Sequence, residues 1–252
     1  MGHDIHVSLK GGELFEIFGI PVTNTMITTW IVMGLILFVS YLLTRKVKLS
    51  PSRGQVAVEF VVGGLYDYFY NIFQDKKKTQ RFFSLFASFF IFIIIANWMG
   101  TFIESIPGIH HFGITKESPS GEEFIPFLRS PNSDVASTVS WSLISVLLAQ
   151  VVGISYLGVK KYLHKFFNFK NPIYFFIGII ELISEFSKIV SLSFRLFGNI
   201  LAGEILLLAI GSVAPLLAPL PFYGLEIFVG FIQALVFTTL SVIYMKLASE
   251  VH

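Results

Sequence analysis

Five ionisable residues, Glu181, Glu185, Lys188, Arg195 and Glu204, stand in one of the most apolar stretches of this chain, with Asn199 among them. A charge held near the centre of a bilayer costs roughly 2.5–3.5 kcal/mol. Side chains of that cost read as an ion pathway or a buried charge network. On a helix at ~100° per residue, Asn199, Ser191, Lys188 and Glu181 fall within about 40° of Arg195. They form one polar stripe. Glu204, nine residues on, points about 180° away from Arg195. Two groups on opposite faces of one helix suit two offset aqueous routes.

A second helix supplies matching groups. Glu226 and Gln233 are seven apart and share a face. A hairpin turn near residues 214–215 brings Glu226 toward Glu204 and Gln233 toward Arg195. Two neighbouring carboxylates in a low dielectric do not readily ionise together, so such a pair can hold and release a proton. Arginine stays protonated and cannot relay one. It can hold a carboxylate ionised or bar a cation. An arginine without a fixed acid on its own stripe is placed to meet a carboxylate from another chain. Glu181, Glu185 and Lys188 also read as an ordinary intrahelical ion-pair cluster. Glu204 with Glu226 also reads as a structural pair.

The elements that must position these groups follow from composition. The chain has 252 residues, 54% of them hydrophobic and 13% charged, against about 25% charged in soluble domains. This is an all-α integral membrane protein. A net charge of +2 points to no nucleic-acid partner. With no cysteine, disulfides, thiolate metal sites and cysteine nucleophiles are excluded. His3, His6, His110 and His111 read as loop histidines, so no metal or cofactor is expected. Met1 to His6 does not read as a signal peptide.

Residues 1–16 are mixed and lie outside the membrane. The stretch 17–44 carries no charge and is long enough to span, since about 20 residues cross a ~30 Å core. Ser50-Pro51 opens an amphipathic helix over 50–80, with Asp67, Asn71, Gln74, Asp75 and Lys78 on one stripe and Leu65, Phe69, Ile72 and Phe73 on another. It suits the cytoplasmic interface. Residues 82–104 form the second span, closing on Asn97, Trp98 and Glu104; Asn97 and Glu104 join the candidate polar set. The stretch 104–134, with Pro107, Pro119, Pro126 and Pro131, reads as a loop. The third span is 134–160. The stretch 172–212 has no breaker and would be ~60 Å long, so it is tilted, bent or broken. Pro215, Pro219 and Pro221 read as a turn before a last helix at 222–248. This makes about five membrane-crossing helices plus an interfacial one, in a single membrane domain.

Basic residues orient the chain. Eight fall in 45–81 and four in 160–170, whereas 104–134 holds two against five acids. The N-terminus is therefore outside and the C-terminus cytoplasmic.

The block Ser191-Leu-Ser-Phe-Arg-Leu-Phe-Gly-Asn199, then Ala202-Gly-Glu204, resembles the signature of subunit a of bacterial F-type ATP synthases. The run Phe231 to Phe237, with Ile243-Tyr244 and Ala248-Ser-Glu250, is similar to that family's last helix. The resemblance covers most of 172–252, and 20–165 in architecture. It implies that Arg195 faces carboxylates of a rotating c-ring and separates two half-channels. Asn199 and Gln233 are implied as its polar neighbours. Glu204 and Glu226 match acidic or histidine positions of the outer half-channel, and Glu181 matches an inner one. Some relatives carry an acid near the end of the second span, where this chain has Gly100, with Glu104 one turn on. The implied partners are the c-ring, the b subunits of a peripheral stalk and the lipid bilayer of a bacterial cell membrane. The implied role is a stator that couples H⁺ or Na⁺ flow to rotation, with no catalytic site of its own. The alternatives are a stand-alone ion transporter or channel and a membrane-embedded enzyme. The first calls for internal repeats, and the second for a cluster of reactive groups in one plane.

Overall fold

The computed structural model describes residues 11–17, 19–45, 52–105, 113–118, 121–166, 172–213 and 219–249. The four histidines named above, Ser50, Pro51, Asn171 and Pro215 lie outside them. In chain order the elements are β1 (Glu13–Ile17), β2 (Ile20–Thr23), α1 (Asn24–Thr44), α2 (Arg53–Phe73), α3 (Lys76–Ser105), β3 (Gly113–Ser118), β4 (Gly121–Pro126), a 3-10 turn (Pro131–Ser133), α4 (Val135–Leu157), α5 (Val159–Phe166), α6 (Pro172–Val213) and α7 (Pro219–Ser249).

Among the described residues, α1, α4, α7 and residues Lys76–Ile103 of α3 are long and apolar enough to cross a membrane. The charged α6 is a fifth long helix, 42 residues without interruption. Large apolar side chains stay exposed along these helices, Leu37 at 71% and Phe186 at 67%. Surfaces of that kind suit lipid rather than water.

Several boundaries differ from the sequence expectation, each for a local reason. The charge-free stretch 17–44 is not one helix. Its first residues pair in an antiparallel hairpin, with Phe15 opposite Val22, because absence of charge does not distinguish strand from helix and Ile20, Val22 and Thr23 are β-branched. The helix starts where Thr23 caps it by accepting from Met26 N. The helix expected over 50–80 is two elements. Ser52 caps α2, and Gln74 ends it in the left-handed region at φ 56°. Asp75 then caps α3, its Oδ1 accepting from Lys77 N at 2.8 Å and Lys78 N at 3.3 Å. The basic run Lys76 to Lys78 therefore opens the second membrane helix, expected to begin at 82. The stretch 104–134 is not merely a loop. It holds the β3–β4 hairpin, with Ile114 opposite Ile125, and the 3-10 turn. The span at 134–160 stops at Leu157, because Gly158 turns the chain at φ +80°, and its basic tail forms α5. Pro219 and Pro221 sit in the first turn of α7 and not in a preceding turn. Proline is tolerated there, since its missing N–H would have no helical partner anyway.

The chain forms two compact units, and α3, α4, α6 and α7 contribute to both. The first comprises 1–50, 91–138 and 196–234. Its centre is polar. Asn24 Nδ2 donates to Pro126 O at 3.0 Å, and Thr25 Oγ1 to Asp134 Oδ2 at 3.1 Å. The second comprises 51–90, 139–195 and 235–252. Its core is aromatic and aliphatic: Phe69, Phe73, Phe86, Phe89, Ala149, Val242, Met245 and Ala248. The Phe69 and Phe86 rings meet edge-on at 6.0 Å. Lys246 Nζ closes this unit by donating to the Ile72 carbonyl at 2.9 Å.

The Asp75 cap makes a testable joint. Asp75→Ala removes the acceptor of two N–H groups at the start of α3. It should cost about 1 kcal/mol, read as a lower unfolding midpoint of the detergent-solubilised protein.

Candidate functional site

In the first unit, α6 presents Glu204 and α7 presents Glu226. Glu204 is partly buried. Its Oε2 accepts from Arg129 Nη2 at 3.3 Å, with side-chain exposures of 16% and 11%. Glu226 is buried at 8% exposure, and its Oε2 has no hydrogen-bond partner among the described residues. A cavity of about 200 Å³ opens beside it, lined also by Asn199, Ala202, Gly203, Leu206, Leu207, Phe222, Leu225 and Val229. Gly203 is what admits the glutamate: a Cβ there would stand 2.6 Å from Glu226 Oε1. The expected approach of Glu226 to the Glu204 level of α6 is thus present, one residue away.

Asn97, the candidate on α3, is 2% exposed. Its amide donates to the Gly230 carbonyl at 2.9 Å and accepts from Asn132 Nδ2 at 2.7 Å. Trp98 Nε1 donates to the Ile227 carbonyl at 3.0 Å. Both side chains bolt α3 to α7. Glu104 lies in the last turn of α3, and its side chain is outside the described residues. Gln233 is 8% exposed, two turns beyond Glu226 on α7.

In the second unit, Arg195 is exposed and donates to Ser191 Oγ at 3.2 Å. These two polar-stripe members do meet. Among the described residues Arg195 makes no ion pair. On the same helix Val190 and Phe194 are exposed apolar side chains. Lys188 and Glu185 form an ion pair at 2.6 Å, three residues apart on α6. That favours the intrahelical cluster reading for these two. The pair is also tied outward: Gln150 Nε2 of α4 donates to Glu185 Oε2 at 2.6 Å, and Tyr162 Oη of α5 donates to Gln150 Oε1. Lys188 Nζ lies 5.1 Å from the centre of the Tyr244 ring. Burial, then Glu185, then Glu181, push the Tyr162 phenol up to about 12. Glu181 is half-buried one turn before Glu185.

Sequence reasoning passed over Arg129, Gln150 and Tyr162. Arg129 counted only as a loop charge, because 75 residues separate it from Glu204. Gln150 had a signal that went unused: a carboxamide inside the charge-free stretch 135–157. Tyr162 had none beyond its place on a short basic helix. Among the described residues no group of three or more His, Asp or Glu is arranged to hold a metal ion.

Among the described residues, four long apolar helices and the long α6 with its interior charges define a polytopic helical membrane protein. The model of the family described as ATP synthase A chain matches residues 26–246, and the chain belongs to that family. It is 32% identical over 244 residues to the ATP synthase subunit a of Moorella thermoacetica, covering 95% of this chain and 96% of the relative. It is 35% identical over 234 residues to that of Gloeobacter violaceus, covering 91% and 85%. A third relative, from Desulfotalea psychrophila, is 31% identical over 229 residues, with 89% and 84% covered.

The Tyr162 network predicts an alkaline signature. Its folded-state value lies above the ordinary 10.0, so the neutral phenol's contribution is complete below pH 10 and is lost as pH rises through about 12. Tyr162→Phe removes the hydrogen bond to Gln150 and should cost about 1 kcal/mol at neutral pH. The gap in unfolding midpoint between parent and variant should shrink above pH 10. A gap that stays constant to the alkaline limit would contradict this.

Proposed function

We propose that this chain is the ion-pathway stator subunit in the membrane sector of an F-type ATP synthase. It forms two offset half-channels that pass H⁺ or Na⁺ to and from carboxylates on a ring of c subunits, and so couples ion flow to rotation. Family membership supports the complex. The observation that carries the mechanism is Arg195: a permanent cation, exposed, with a hydrogen bond to Ser191 and no ion pair among the described residues. In a membrane such a charge needs a counter-charge. A carboxylate brought by another chain supplies it in passing and leaves again, which an internal salt bridge would prevent.

An incoming ion reaches the ring past Glu226 and Glu204 and rides it through lipid. Arg195 displaces it into the inner route, past Glu181. The guanidinium keeps its own proton and blocks leakage between the routes. Asn199, one turn on along α6, and Gln233 on α7 are the neutral polar groups of the pathway. Ser191 orients it. Lys188 and Glu185 stand at the inner end of the stripe, while Asn97 holds α3 to α7 in the outer half. The N-terminus lies outside and the C-terminus in the cytoplasm of a bacterial cell, with the charge-free α1 facing the lipid and the b subunits of the peripheral stalk.

Inside-out vesicles carrying the assembled complex test this. Arg195→Ala should lower ATP-driven ion pumping by roughly hundredfold, the scale of a lost preorganised charge, with the complex still present in the membrane. Near-normal pumping would remove Arg195 from the mechanism. Glu226→Gln should slow pumping by about tenfold or more, as for loss of a positioned acid–base group. Transport by the purified chain without its partners would favour a stand-alone transporter instead.

A further inference from the structure

The two carboxylates of the outer half lie at adjoining levels of α6 and α7 and have unlike surroundings. Glu204 Oε2 is taken by Arg129. Glu226 Oε2 is buried with no hydrogen-bond partner among the described residues, beside an open cavity. A buried anion with a guanidinium beside it has its counter-charge. A buried carboxyl without one needs a cation, and a mobile cation can serve.

Arg129 is itself fixed in place. Its backbone N–H donates to Thr28 Oγ1 at 3.3 Å, and Thr28 is fully buried. The residues after it, Ser130 to Ser133, are buried, and Asn132 is bonded to Asn97. The segment thus delivers a guanidinium to α6 from a rigid base. A solvated surface arginine would find neither anchor.

We infer that Arg129 is a positioning residue that holds Glu204 as a fixed anion, so that Glu226 alone exchanges the transported cation in the outer half. This rests on the ion-pathway reading above and divides a labour that reading assigns to both glutamates. Glu204 then acts on the cation only through its field and through the place it gives Arg129.

The test uses the assembled complex in inside-out vesicles, with ATP-driven pumping normalised to the amount of complex. Arg129→Gln should lower pumping by about tenfold, the usual lower end for losing a group that orients a working one. Arg129→Lys, which keeps the charge, should recover most of it. Glu226→Gln should lose more than Glu204→Gln. The double variant Arg129→Gln/Glu204→Gln should pump no slower than Glu204→Gln alone, since Arg129 acts through Glu204. Parental pumping in Arg129→Gln, a lysine variant as slow as the glutamine one, a larger loss in Glu204→Gln than in Glu226→Gln, or losses that multiply in the double variant would each overturn the inference. If Arg129→Gln fails to assemble, the double variant, which leaves no lone charge, carries the same comparison. Arg195→Ala in the same vesicles separates the two claims. Normal pumping there sinks the ion-pathway reading itself, whereas its loss beside a normal Arg129→Gln sinks only the role of Arg129.

Discussion

Placing charge in a low-dielectric environment is the constraint on which α6 depends. Each ion there must find a counter-charge or a hydrogen bond, or remain a standing cost. The helix meets this demand unevenly. Lys188 is satisfied by Glu185, and Glu185 in turn by Gln150. Glu204 is satisfied by Arg129. Among the described residues Arg195 and Glu226 are left over, the first hydrogen-bonded to a neutral serine, the second with an open oxygen. Groups whose charge is settled within the chain are parts of the frame. On the function proposed above, the groups left open are the ones placed to meet something that moves.

The frame has a matching division. Around Asn24, Asp134, Asn132 and Asn97 the first unit is held by directed polar contacts. Around Phe69, Phe86 and Met245 the second is held by shape and area. Directed contacts of this kind restrict the arrangement, because an alternative would orphan several groups at once. The glutamate pair sits in the unit where that kind of precision is available.

The large-scale plan was legible because it follows from hydrophobicity, which adds along the chain. Charge-free stretches marked most membrane helices, and the angular positions of Ser191, Arg195 and Asn199 followed from helical periodicity alone. The near approach of α7 to Glu204 also followed, because few residues separate α6 from α7 and leave little freedom of register. What was not legible depends on two kinds of information that local pattern lacks. One is the backbone preference of apolar residues, which left Ile20 to Thr23 indistinguishable from helix and hid the corner at Gln74. The other is pairing between residues far apart in sequence. Nothing near Arg129 names Glu204, and nothing near Gln150 names Glu185. The first could have been suspected from β-branching and the lone Asp75. The second needs coordinates.

The uninterrupted hydrogen-bond ladder of α6 has a mechanical meaning. Over 42 residues it contains no proline beyond its first turn and no break at which bending could concentrate. A load applied beside Arg195 is therefore not absorbed by a hinge. Along the helix, Glu204 is held through Arg129 in the first unit and Glu185 through Gln150 in the second. A helix without a hinge passes a push along instead of yielding to it, and the polar contacts that settle its charge are also the pins that hold it.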